Sequence, residues 1–298
     1  MDALTQTNLL SLMDISRGHP DILIGVIDGP IDFSHPAFQG SQIKTVRDSQ
    51  LVACKNATDR ACIHGTFVTG MLCAKRGLSA PGICPDCGII VNPIFGKEKS
   101  TVSKANYNIG NTVLPTATPE ELSDAIMETI DAGAKIINLS LGLSASSLTA
   151  YDKLQQAYDY ALRKGVIMIV AAGNQGNIGN ISLINHQWLI PVAACDEYGR
   201  LHSMSNFGAS IGNRGLMAPG VNIKSTYPGG QYGQMSGTSF SAPFVTGGIA
   251  LLWSMFPKAT AAAIISSTKR GTHPSRRSII PALFNGEAVW KTLKNSMN

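Results

Sequence analysis

An α/β fold, with a mostly parallel central sheet and helices on both faces, is what this 298-residue sequence predicts. Three observations carry that reading. Five short apolar runs rich in β-branched residues read as strands buried on both faces. Helical patterns with recognisable start and stop signals lie between them. Hydrophobic residues at 44% and charged residues at 14% fit a chain with a large core rather than a disordered one.

The first run, 22–27, ends at Asp28, and runs at 89–95, 135–140, 166–172 and 189–194 follow it. Thr118-Pro119-Glu120-Glu121 is a capping box with proline at the first helical position. It predicts a helix to about Ala132, stopped by Gly133. A second helix is predicted from Leu148 to Lys164, ended by Gly165. The segments from His64 to about Cys73 and from Thr238 to about Met255 are apolar on all sides and read as buried helices. His64 opens the first of these, where the positive end of the helix dipole would favour a neutral imidazole. Pro243 is read as a first-turn proline of the second. The alternation places the sheet between two helical layers, with a site at the carboxyl ends of the strands. No repeat, low-complexity tract or linker interrupts it. Residues 1–298 therefore read as one domain, with 1–20 as an N-terminal extension.

Charge and hydropathy exclude several functions. The net charge of +5 is dispersed, and the densest basic clusters, Lys97–Lys104 and Lys269–Arg277, are short and lack aromatic residues. They read as solvated surface, and no nucleic-acid partner is expected. No apolar run is long enough to span a membrane. The N-terminus carries Asp2 and lacks a basic segment followed by a long apolar one, so it does not read as a secretory signal. A cytoplasmic enzyme, or a domain excised from a longer polypeptide, is the expectation.

Four stretches carry chemistry. Asp28 sits in ILIGVIDGPID, His64 in HGTFVTG, Asn174 in IVAAGNQG and Ser239 in SGTSFSAP. Singly, each has an ordinary reading: Asp28 as a turn cap before Gly29-Pro30, His64 as a structural histidine, Asn174 as a turn residue, Ser239 as a helix N-cap. Together they offer the four roles that acyl transfer needs. A hydroxyl must meet a base, a buried carboxylate must hold that base in one tautomer, and a donor must meet the oxyanion.

In the order Asp, His, Asn, Ser, these strings resemble the subtilisin-like serine proteases, from about residue 20 to the C-terminal region. The resemblance implies a three-layer subtilisin-like fold, a triad of Asp28, His64 and Ser239, and Asn174 as oxyanion donor. It also implies that an extended peptide is held by strand addition between Ser140-Leu141-Gly142 and Ala171-Ala172-Gly173. Asp32 aligns with a non-catalytic aspartate of the family, and no metal or cofactor is expected. Phe67 stands where the family more often has a second histidine. The stretch Gly96 to Thr118 is longer than the family core and carries Lys97, Lys99 and Lys104, so it reads as an insertion over the non-primed side. The connection from the His64 helix to 89–95 is too short for the calcium loop of secreted relatives. The start leaves no room for their folding pro-domain.

The strings VIDGPIDFSHPAFQG, SAPGI and NPIF are similar to the N-terminal leader-removing proteases of cyanobactin biosynthesis. That similarity implies a ribosomally made precursor peptide as substrate. The ordinary interval between Asp28 and His64 leaves no residues for a water-excluding lid, which favours hydrolysis over ring closure. A broad-specificity intracellular subtilase and an inactive peptide-binding module are the alternatives.

Cys54, Cys62, Cys73, Cys84 and Cys87 crowd around the His64 motif, and Cys195 stands apart. Three states remain open. Cys84-Pro-Asp-Cys87 has zinc-ligand spacing, without a second close pair. Disulfides could join Cys54 to Cys62 and Cys73 to Cys84 or Cys87. Free thiols suit a reducing compartment.

Overall fold

The computed structural model describes residues 2–46, 53–54, 56–94, 107–109, 112–114, 116–140, 142–143, 148–179, 184–272 and 278–297. Two short helices come first, α1 (Ala3–Gln6) and α2 (Leu10–Ile15), and Leu9 and Leu12 here are buried in the core. The chain enters the sheet with β1 (Leu23–Asp28) and β2 (Ile43–Thr45), and α3 (Arg60–Cys73) leads to β3 (Gly88–Pro93). A hairpin of β4 (Tyr107–Ile109) and β5 (Thr112–Leu114) precedes β6 (Thr116–Ala117). Next come α4 (Pro119–Asp131), β7 (Ile136–Leu139), β8 (Gly142–Leu143), α5 (Leu148–Lys164), β9 (Ile167–Ala171) and β10 (Leu189–Cys195). The last third holds α6 (Ala209–Arg214), β11 (Leu216–Pro219) and the antiparallel pair β12 (Ile223–Tyr227) and β13 (Gln231–Met235). It ends with α7 (Thr238–Met255), α8 (Ala261–Thr272), β14 (Ala282–Leu283) and α9 (Gly286–Met297).

Eight strands form one sheet in the order β14-β11-β10-β9-β7-β1-β3-β2, and every neighbouring pair runs parallel. The five strands expected from apolar runs are β1, β3, β7, β9 and β10. Successive residues of a strand point to opposite faces, and the core divides accordingly. Ile167 and Ile169 pack with Val245, Ile249 and Leu252 of α7 on one side. Met168 and Val170 pack with Ile126 of α4 and Leu154 and Tyr158 of α5 on the other. The result is the subtilisin-like three-layer α/β arrangement. The capping box is present: Glu121 N–H donates to Thr118 Oγ1 at 3.2 Å, and Thr118 N–H donates to the Glu121 carboxylate at 2.9 Å.

Two helix expectations need correction. α3 starts at Arg60 rather than His64, because Asp59 is its N-cap and accepts from Ala61 N–H at 3.2 Å. Pro243 is the sixth residue of α7, beyond the first turn.

The cysteines split. Cys54 and Cys62 form a disulfide, whereas Cys73, Cys84, Cys87 and Cys195 are buried free thiols. Of the pairings left open, Cys73 with Cys84 or Cys87 is not made. Burial pushes the Cys73 thiol up to about 12. The hydrogen bond between Cys84 and Cys87 raises the first thiol and lowers the second. Among the described residues, no group of three or more His, Cys, Asp or Glu is placed to hold a metal ion, and no helix is long and apolar enough to cross a membrane. Lys97, Lys99, Lys104, Leu141 and His273 lie outside the described residues.

Candidate active site

β1 ends at Asp28, whose side chain is fully buried. Its Oδ1 accepts from Gly29 N–H at 2.6 Å and lies 2.7 Å from His64 Nδ1. Glycines permit this approach. A Cβ on Gly29 would lie 2.0 Å from the Ala61 carbonyl oxygen, and one on Gly65 would lie 2.4 Å from that of Gly29. Backbone contact between the β1 turn and α3 thus sets the His64 ring. The helix terminus does not, since His64 is the fifth residue of α3 and the dipole effect fades within the first turn. A carboxylate acceptor at Nδ1 places the proton there and leaves Nε2 as the basic nitrogen. Nε2 is buried and has no hydrogen-bond partner among the described residues.

An aromatic stack links this pair to α7. The His64 ring lies 5.3 Å from the Phe240 ring, which meets Phe67 edge-on at 4.7 Å, and Phe67 in turn meets Tyr227. Phe67 is fully buried beneath the site. Phe240 directly follows Ser239, the second residue of α7. Ser239 is 5% exposed.

Pro243 shapes the start of α7. It has no N–H, so the carbonyl four residues back, that of Ser239 itself, lacks its helical donor. The Ser140 hydroxyl supplies one at 2.7 Å. Asn138 Nδ2 donates to Ser140 Oγ at 2.8 Å, and the Thr246 hydroxyl donates to Asn138 Oδ1 at 2.8 Å. All four residues are buried. The Ser140 side chain is therefore committed to α7, and its backbone alone is left for the expected substrate wall.

Asn174 sits just beyond β9. Its Oδ1 accepts from Thr238 N–H at 2.8 Å, and Gly173 N–H donates to Thr238 Oγ1 at 3.1 Å. Use of Oδ1 in this way leaves Nδ2 as a donor beside α7, and a Cβ on Gly237 would lie 3.5 Å from it. Ala171 and Ala172, at the end of β9, are buried. Gly142 lies in β8, which pairs in parallel with β6.

Asp32 faces elsewhere. Its carboxylate accepts from Ser34 N–H and Oγ at 3.0 and 2.6 Å and from Gly229 N–H at 2.8 Å. Burial alone would raise its pKa, but these hydrogen bonds outweigh burial and hold it below the ordinary carboxylate value. His35, His186 and His202 each accept at Nδ1 from the backbone N–H two residues on, a structural role. A cavity of about 600 Å³ opens elsewhere, between Leu4, Met71, Asp196 and Lys224.

One residue of the site escaped the sequence reading. Asn206 is buried and bonded around the Asn174 loop. In Ser-Asn-Phe-Gly it carries only a turn signal, which many surface loops share.

A parallel sheet covered on both faces, with an aspartate–histidine pair at its carboxyl end and Asp, His, Asn, Ser in that chain order, defines the class of subtilisin-like α/β proteins. The chain belongs to the subtilase family, peptidase family S8, which it matches over residues 19–274. The thermophilic serine proteinase of Bacillus sp. (strain AK1) is 33% identical over 245 residues, covering 80% of this chain and 54% of that protein. The chain thus spans about half the length of that curated relative. Among solved structures, the prenylagaramide maturation protease PagA is 26% identical with a TM-score of 0.79, over 96% of this chain and 98% of that one. A mutant of the protease domain of PatA is 25% identical with a TM-score of 0.78, over 94% and 97%.

Proposed function

We propose that this protein is a serine endopeptidase that removes the leader from a ribosomally made precursor peptide. The observation that carries the catalytic reading is the 2.7 Å bond between buried Asp28 and His64 Nδ1. His64 Nε2 takes the proton of the Ser239 hydroxyl as the oxygen attacks the scissile carbonyl, and Asp28 stabilises the imidazolium. The oxyanion accepts from Asn174 Nδ2 and from the Ser239 N–H. His64 then protonates the leaving amine, and water hydrolyses the acyl-enzyme by the same base. The peptide lies extended, its backbone read by the segments Ser140 to Gly142 and Ala171 to Gly173. Likeness to two maturation proteases, PagA and PatA, supports a precursor peptide as substrate.

The 33% likeness to a thermophilic serine proteinase favours a second reading, broad degradation of unfolded protein. Casein separates the two, because a leader peptidase leaves it intact. The catalytic test is fluorophosphonate labelling: wild type is labelled and hydrolyses a cognate peptide, and Ser239→Ala does neither. Equal labelling of Ser239→Ala would end the proposal. Mass spectrometry of products from candidate precursors identifies the bond cut.

A further inference from the structure

Asn174 is only as useful as the place of its amide. The oxyanion exists in the transition state alone, and donors act on it at about 2.7–3.1 Å. Thr238 N–H orients the amide through Oδ1. Thr238 Oγ1 also accepts from Gly173 N–H at 3.1 Å, and the rest of the backbone from which Asn174 projects, a loop between β9 and residue 179, is held by other contacts.

Asn206 grips that loop on both sides of Asn174. Its Oδ1 accepts from Gln175 N–H at 3.1 Å and from Asn177 N–H at 2.9 Å. Its Nδ2 donates to the Ala172 carbonyl at 3.0 Å and to Gln175 Oε1 at 2.5 Å. Its backbone N–H donates to the Gly173 carbonyl at 2.9 Å. Both acceptor sites and both donors of the side chain are used, which an amide alone among side chains can match. Asn206 is 1% exposed, so it is shielded from solvent. The fit is tight: Gly173 has φ +97°, and a Cβ there would lie 2.4 Å from Asn206 Nδ2.

We propose that Asn206 is a positioning residue for the oxyanion donor Asn174, holding the loop from Ala172 to Asn177 at the height that transition-state binding requires. This rests on the catalytic reading given above. Aspartate at 206 keeps the two acceptor contacts but sets a carboxylate against the Ala172 carbonyl and Gln175 Oε1. Serine is too short to span the loop. A misplacement of about 1 Å can reduce rate about 10²-fold; loss of oxyanion contact falls on kcat, because that contact exists in the transition state alone, while any shift of the substrate wall at Ala172 and Gly173 falls on KM.

The experiment is a double-mutant cycle on kcat and KM with a peptide that wild type cleaves. Asn206→Ser, Asn206→Asp, Asn174→Ala and Asn174→Ala with Asn206→Ser are compared. Rates are referred to enzyme counted by end-point fluorophosphonate labelling, well below each melting temperature. Asn174→Ala lowers kcat about 10²–10³-fold, as loss of this donor does in a subtilisin. Asn206→Ser and Asn206→Asp each lower kcat about 10- to 100-fold, and any accompanying rise in KM reports the substrate wall at Ala172 and Gly173. In the Asn174→Ala background the same serine substitution lowers it about twofold or less, because the donor it positions is gone. Unchanged kcat in the folded variants, or an equal loss in both backgrounds, overturns the proposal. Should Asn206→Ser fail to fold, Asn206→Asp carries the same cycle. A wild-type protein that neither cleaves nor labels overturns the catalytic reading instead.

Discussion

Replacing Ser140 with alanine deletes one hydroxyl and leaves two buried groups alone. The Ser239 carbonyl loses its donor, since Pro243 offers no N–H, and Asn138 Nδ2 loses its acceptor. A buried polar group left unpaired costs about 1–3 kcal/mol. Two such groups, with partial relaxation, give a loss of about 2–4 kcal/mol. For a chain of this size that lowers Tm by about 3–6 °C. Pro243→Ala restores an N–H four residues beyond Ser239. In wild type it changes little, because the carbonyl is already bonded and the proline-to-alanine change itself costs about 0.4–1 kcal/mol through the unfolded chain. In the Ser140→Ala background it recovers the part due to Ser239. Urea unfolding of the four proteins, with kcat measured alongside, reads the coupling. Strict additivity, with no recovery from Pro243→Ala, would refute the assignment of Ser140 as a substitute for the missing helix donor.

The disulfide and Asp32 give two further outcomes. Cys54 and Cys62 are separated by 8 residues, a loop whose closure contributes about 2.5 kcal/mol on a chain-entropy estimate. Reduction shifts the unfolding midpoint downward by about that free energy, and thiol titration of the unreduced, unfolded protein finds four thiols; six would contradict the bond. Asp32 has a folded-state pKa below the ordinary 3.8. Its stabilising contribution is fully present above that value and is lost as pH falls through the lower folded value. Asp32→Asn therefore flattens the stability curve below about pH 4. Parallel curves for variant and wild type would count against its bonds to Ser34 and Gly229.

Legibility followed the range of each signal. The five central strands were visible as apolar runs, and the α4 capping box was visible in four residues. β11, β12 and β14 were not. Leu216–Pro219 and Ala282–Leu283 are too short to show a period, and Ile223–Tyr227 mixes exposed Lys224 into a buried run. α3 starts before the His64 string because the N-cap signal of Asp59 lies five residues ahead of it. Cysteine spacing left the pairing open, and the fold decided it by bringing Cys54 and Cys62 to a Cα separation of 5.4 Å.

Local order and chemical inventory were written in the chain itself: which runs are buried, where helices begin and end, and which side chains bring acid, base, hydroxyl and amide. These depend on neighbours within a turn or a strand. Tertiary packing alone decided how the inventory is held. Ser140 and Ser239 lie 99 residues apart, and Asn206 reaches back 34 residues to Ala172. No periodicity or spacing encodes such contacts, because they exist only once the covered sheet brings strand ends and helix starts to one edge.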